Sequence, residues 1–532
     1  MQGSAAAPRS EHAIDSRPWW ATTDRLRIAR IELGGVLAAL LLGVQFALVL
    51  QAELLAPGPA LVGTGALGGA LSAYGLVLVF LFALPALPLV VGGLVLPPMV
   101  GADDFVFPGL NRLTLHLYGG AWVLIALALL GGSIDRTLRG LSATGGATSW
   151  TLAVASIGLH LLGLALACSA LNLLVTAFYG RSEQSPPTRW PVLVWGLVTG
   201  GAVQLVVSIA IASLGLLLLF ESATAARVFG GIADDPFAYE RLVDFILHAG
   251  AAVVLLPALG IAFEVFATFS RKAPAGGLSN PLAMAALAVL SMGGSGIALV
   301  SDGAVAEGTS VALVAAHSGI GLLALVPATL LLYNLLATLA GGAIEISAAL
   351  LHALNLVVLW TLGVWTGVFL ATLSTGAYLQ GSLFATAQLH FLLGGGAIAG
   401  LVTGLYYWWP RLMGRSTSEL LGRTSAALLF AGFLLAFGPS LVAGSQGLSS
   451  LTLLSHGVAV TLERVAAFGG LVLFLGLVVV GWDLLASLMR DAASTDNPWG
   501  ATTGEWHDAP TETDVYDFYA LHSAGEPSVV VE

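Results

Sequence analysis

Twelve separate apolar runs punctuate this chain, starting near residues 28, 71, 113, 150, 190, 243, 281, 309, 345, 380, 420 and 455. A helix that crosses the hydrocarbon core of a bilayer needs about 20 such residues. No water is available there, so each backbone N–H and C=O must be paired within the segment. The runs are continuous rather than alternating, which argues against a transmembrane β-barrel. Only 9% of the residues are charged, against about 25% in soluble domains. The expected fold class is therefore an all-α polytopic membrane protein with twelve transmembrane helices.

Lys and Arg set the expected orientation. Arg9, Arg17, Arg25, Arg27 and Arg30 precede or open the first run, and Arg490 follows the last. Loops after even-numbered runs hold Arg112, Arg181, Arg189, Arg271, Lys272, Arg411, Arg415 and Arg423, whereas those after odd-numbered runs hold only Arg136, Arg139, Arg227 and Arg241. Both termini are thus expected in the cytoplasm, with residues 1–26 and 491–532 as polar tails around a membrane domain at 27–490. The net charge of -11 sits mostly in those tails. The acidic end "GEWHDAPTETDVYDFYALHSAGEPSVVVE" reads as a strap, a partner surface or a solvated end. No basic stretch suits nucleic acid, so lipid and membrane subunits are the expected partners. A single cysteine, Cys168, excludes an intrachain disulfide and a Cys-ligated cluster.

Ionisable and polar groups at membrane depth are costly, which makes them functional candidates. Seven of the ten histidines lie in or beside the runs: His116, His160, His248, His317, His352, His390 and His456. The expected topology puts Tyr74, His248, Asp302, Gln388 and His390 in the outer third of the bilayer, where they would converge as a cofactor or ion site. The alternative is polar glue, each group bonded to a neighbouring helix. The ending "YYWWPRLMGR" reads as an interface anchor, with aromatics at the headgroups and Pro410 closing the helix.

Several segments carry a family resemblance. They are "TTDRLRIARIELG", "ALPALPLVVGGLVLPPMVGADDFVFPGLNRL", "GLHLLGLALACSALNLLVTAF", "LPALGIAFEVFATFSRK", "NLLATLAGG", "YYWWPRLMGR" and "NPWGATTGEW". In this order and spacing the chain resembles subunit I of haem-copper oxidases over nearly its whole length.

The resemblance implies a ligand set, and this sequence departs from it. The family holds a low-spin haem between histidines on its second and tenth helices. Those positions are Tyr74 and His390 here. The high-spin haem ligand, two residues earlier on the tenth helix, is Gln388. Of the three copper histidines, His248 is kept, nine residues before Pro257, while the His-His pair becomes Asp302-Gly303. The proton-route glutamate and the cross-linked tyrosine fall within Ala249, Gly250, Ala251 and Ala252. The lysine of the second proton route falls on Leu331, and the propionate arginines on Gly447-Leu448. Asp104 and Asn111 match the mouth of a proton channel that ends at Gly250, so their retention is expected to serve the loop.

Copper with one imidazole binds weakly, and glutamine is a poor haem anchor. The expected function is a cofactor-depleted, non-catalytic component of a respiratory membrane complex in a prokaryotic plasma (inner) membrane. It would stand beside a catalytic subunit I or subunits like II and III of an oxidase. No cofactor is the first expectation, one haem the second, and copper is not expected. The alternative is a divergent oxidase or electron-transfer subunit holding one haem between Tyr74 and His390, acting in cytochrome c or quinol oxidation. A different metal on His248, Asp302 and Gln388, or a transporter built on the same groups, is a further alternative.

Overall fold

The computed structural model describes residues 17–55, 64–131, 150–224, 238–300, 311–448, 458–490, 494–495 and 497–506. Among them, twelve helices are long and apolar enough to cross a membrane: α1 Arg25–Glu53, α2 Gly68–Met99, α3 Pro108–Leu130, α4 Trp150–Gly180, α5 Val192–Thr224, α6 Arg241–Ser270, α7 Ser279–Leu299, α8 Val311–Leu339, α9 Ala348–Ala371, α10 Leu383–Met413, α11 Glu419–Ser445 and α12 Val460–Met489. The expected starts agree closely, the largest offsets being 113 against 108 and 455 against 460.

Burial separates a centre from a rim. The most apolar windows of α2, α6 and α10 are 83%, 89% and 78% buried within the protein, whereas the remaining helices reach at most 50%. These three helices form a central column, and the others present one side to lipid.

Small residues let the column close. Pro257 inside α6 has no N–H to donate to the ladder. Gly196 and Gly200 of α5 form a notch for it: a Cβ on Gly200 would lie 3.0 Å from Pro257 Cδ. At the lower end of α2, Pro98 lacks the N–H that Leu94 O would accept in a regular helix. The Arg25 guanidinium of α1 donates to that carbonyl instead, at 2.8 Å. Arg30 donates to Leu412 O of α10 at 2.8 Å. Lys272 Nζ donates to Ala337 O and Ala340 O at the end of α8, where a cation also complements the helix dipole. We call the side carrying these groups the basic face.

The "YYWWPRLMGR" ending departs from the expected interface anchor. Tyr406, Tyr407, Trp408 and Trp409 are all buried within the protein rather than facing headgroups. Each has a polar partner: Tyr406 Oη donates to Asp483 at 3.1 Å, and Tyr407 Oη pairs with Thr268 Oγ1 at 2.7 Å. Trp408 Nε1 donates to Glu505 at 3.2 Å, and Trp409 Nε1 to Ser487 Oγ at 2.7 Å. Residues 497–506 fold back over this block, with Trp499 Nε1 donating to Tyr407 O at 2.8 Å.

Candidate functional site

Tyr74 and His390 are brought together from α2 and α10. Tyr74 stands two residues before a π-helical stretch, Leu76–Ala83, and His390 opens a π-helical turn, His390–Gly394. Such widened turns re-aim side chains and occur often at functional sites. His390 Nδ1 lies 2.7 Å from Thr386 O, one turn back. A carbonyl only accepts, so Nδ1 carries the proton and Nε2 offers its lone pair. Tyr74 Oη donates to that Nε2 at 2.8 Å. Phe437 of α11 covers the imidazole, with ring centroids 4.4 Å apart and planes at 22°. Phe433, in turn, lies 5.7 Å from Phe437, centroid to centroid.

This geometry tests the two positions as a haem pair. Two ligands on opposite sides of one metal, each bonded at about 2 Å, stand about 4 Å apart. Tyr74 Oη and His390 Nε2 are in direct hydrogen-bond contact. The ligand lone pair is committed to the phenol proton, and an aromatic ring lies flat on the imidazole. The pair as arranged does not fit a haem between its members.

The other positions do not converge with it. Gln388, buried, donates from Nε2 to Gly363 O of α9 at 3.3 Å. Gly367 makes room for the amide, since a Cβ there would lie 3.2 Å from Gln388 Nε2. His248 is exposed and its Nδ1 bonds to Asp244 O at 2.9 Å, one turn back on its own helix. Asp302 and Gly303 lie outside the described residues. The expected five-residue cluster thus reduces, among described residues, to one bonded pair, because Gln388 and His248 bond to backbone carbonyls of α9 and α6. No group of three or more His, Cys, Asp or Glu suited to a metal ion occurs among the described residues.

Apolar side chains fill positions that carry chemistry in the resembled family. Leu84 of α2 leans over Gly250: a Cβ there would lie 2.8 Å from Leu84 Cδ2. Leu331 is fully buried, and Ala251 and Ala252 are buried too. Gly447 turns with φ +77°, and a Cβ on it would lie 2.6 Å from Tyr378 Oη. An arginine there would be strained in both backbone and side chain.

Asp104 belongs to a pinned loop, and Asn111 is buried in the first turn of α3. Asn172 of α4 accepts from Phe107 N at 3.2 Å and donates to Phe107 O at 3.1 Å. Asp104 Oδ1 accepts from Phe105 N at 2.7 Å. Burial raises the Asp104 carboxyl above its usual range, against that hydrogen bond and the charge of Arg25. Other histidines bond to neighbouring segments. His160 Nδ1 donates to Ala212 O of α5 at 2.9 Å and His317 Nδ1 to Gly294 O of α7 at 3.3 Å. His352 Nε2 meets Ser425 Oγ of α11 at 3.1 Å, while His116 meets Trp20 O at 2.9 Å on the basic face. His456 lies outside the described residues.

Several carboxylates beyond the positions singled out by sequence are buried, among them Glu32, Asp483, Glu264 and Glu505. Glu264 and Glu505 are both buried, on α6 and in the segment after α12. A glutamate inside an apolar span is itself a signal, so Glu264 was findable. Glu505 stands in a polar tail where nothing distinguishes it from solvated neighbours.

Comparison with known proteins bears on family and fold. The family model "Cytochrome C and Quinol oxidase polypeptide I" matches residues 27–482. Cytochrome c oxidase subunit 1 of a Synechocystis species is 26% identical over 475 residues, covering 88% of this chain and 84% of the relative. A probable cytochrome c oxidase subunit 1-beta of Nocardia farcinica is 28% identical over 504 residues, covering 91% of this chain and 83% of the relative. A cryo-EM structure of a haem-copper terminal oxidase dimer superposes with a TM-score of 0.71 at 14% identity, over 88% of this chain and 85% of that one. At that identity the superposition speaks to fold. The chain is a multi-pass membrane protein, and it belongs to the cytochrome c and quinol oxidase polypeptide I family.

Proposed function

We propose that this chain is a cofactor-depleted, non-catalytic member of its family that serves as a structural or assembly component of a respiratory membrane complex. The observation that carries the reading is the direct Tyr74–His390 hydrogen bond of 2.8 Å, which closes the space between two positions that flank a haem in the resembled family. Gln388 bonded to Gly363 O, Leu84 over Gly250 and the left-handed turn at Gly447 support it. Its partners are other membrane subunits, oxidase subunits like II and III or a catalytic subunit I. Its basic face, with both termini, lies in the cytoplasm of a prokaryote, as the Lys and Arg distribution supports.

Affinity purification from native membranes tests this reading. The expected preparation contains other respiratory subunits in fixed ratio. The chain stripped of them shows no oxygen uptake with reduced cytochrome c or quinol. A chain that always purifies alone, or that consumes oxygen unaided, contradicts the proposal.

A further inference from the structure

The segment 497–506 is tied to three helices at the basic face. Trp499 holds Tyr407 O of α10, and the Arg271 guanidinium, just beyond α6, donates to Trp499 O at 2.7 Å and to Glu345 at 3.0 Å. Gly504 lies against the end of α2, where a Cβ would come within 2.7 Å of Pro98 O. Trp506 is buried edge-on to Tyr407, 5.3 Å between centroids. At the centre, Glu505 Oε1 accepts from Thr503 Oγ1 at 2.8 Å and from Trp408 Nε1 at 3.2 Å, while its buried Oε2 has no partner.

The unpartnered oxygen is informative. A buried carboxylate that leaves one oxygen bare is costly as an anion. The other buried carboxylate near Glu505 is that of Glu264 on α6, a like charge. Two neighbouring carboxylates out of water do not both ionise readily; such pairs hold a proton between them. We propose that the Glu264–Glu505 pair makes segment 497–506 a proton-dependent latch, holding the basic-face ends of α2, α6 and α10 together while the pair keeps a proton and loosening them when both carboxylates ionise.

The surrounding charges set the balance. Arg411 of α10 is the cation that faces Glu505, and it faces Arg25 of α1 as a like charge. Burial pushes the Glu505 carboxyl up to about 7, against the hydrogen bonds from Thr503, its own backbone N–H and Trp408 and against Arg411. A carboxyl raised in the docked state favours docking below its free value, near about 4.3, and that advantage disappears as pH rises through the docked value. The latch is therefore closed in mild acid and loosens across neutral pH.

Hydrogen–deuterium exchange of the full chain in detergent micelles, corrected for intrinsic rates, tests this. Protection of residues 497–506 is expected to fall about tenfold between pH 6 and pH 8. Glu505→Gln keeps an acceptor for Thr503 and Trp408 and is expected to flatten that dependence. Glu264→Gln removes the facing charge and is expected to shrink it. Equal protection of the unsubstituted chain at both pH values overturns the proposal. So does a full wild-type pH response in Glu505→Gln or in Glu264→Gln. None of these readouts depends on haem content, so the latch and the cofactor-depleted reading can fail separately.

Discussion

A phenol proton stands where the resembled family places an imidazole lone pair, and that exchange changes what His390 can do. With Nδ1–H bound to Thr386 O and Nε2 accepting from Tyr74, the imidazole is satisfied on both sides. Tyr74→Phe removes one buried hydrogen bond and leaves Nε2 bare. Its expected cost is about 1 kcal/mol in denaturant titrations in micelles, with haem content unchanged. A rise in bound haem in that variant would mean the phenol blocks a working site. Gly447 makes a second residue-level case. Gly447→Arg imposes a side chain on a backbone at φ +77°, against the Tyr378 hydroxyl. It is expected to destabilise by about 1–3 kcal/mol in the same titration rather than restore a propionate contact. An unchanged midpoint would show that the turn relaxes. The positions that the resemblance implies as ligands were read from their distance to motifs. Their new partners were not, since nothing in "AQLHF" says that Gln388 bonds to Gly363 of another helix.

At the scale of elements, lipid makes the helices easy to read. Each must be a long apolar run, so their number and positions follow from the sequence. What a run faces is harder to read. The aromatic ending of α10 has the composition of a headgroup belt, yet Tyr407 is fully buried beneath Trp499 and Trp506. An interfacial belt and a buried aromatic block share a composition, and only the return of residues 497–506 distinguishes them. The loop at 101–107 gives the opposite lesson. Its Asp104, with Asn111 in the first turn of α3, looks like a channel residue, but Asn172 clamps Phe107 from both sides. Asn172→Ala is expected to cost about 1–3 kcal/mol, through unpaired backbone groups, and to raise hydrogen exchange across 101–107. Unchanged exchange there would show that the loop holds itself.

For the whole molecule, the central column of α2, α6 and α10 is the most buried part of the fold, and it carries Tyr74, His248, Gln388 and His390. The number and positions of the twelve apolar helices and the family resemblance were readable in the sequence. The closure of the site was not, because the packing of Leu84 over Gly250 and of Phe437 on His390 is a property of three-dimensional contact. The central claim is that this column packs shut without iron or copper. A dithionite-reduced-minus-oxidised spectrum of the purified chain, with haem measured as pyridine haemochrome and metals by mass spectrometry, tests it most directly. The account predicts no haem bands, with iron and copper far below one per chain. One haem per chain, lost on His390→Ala, would contradict it.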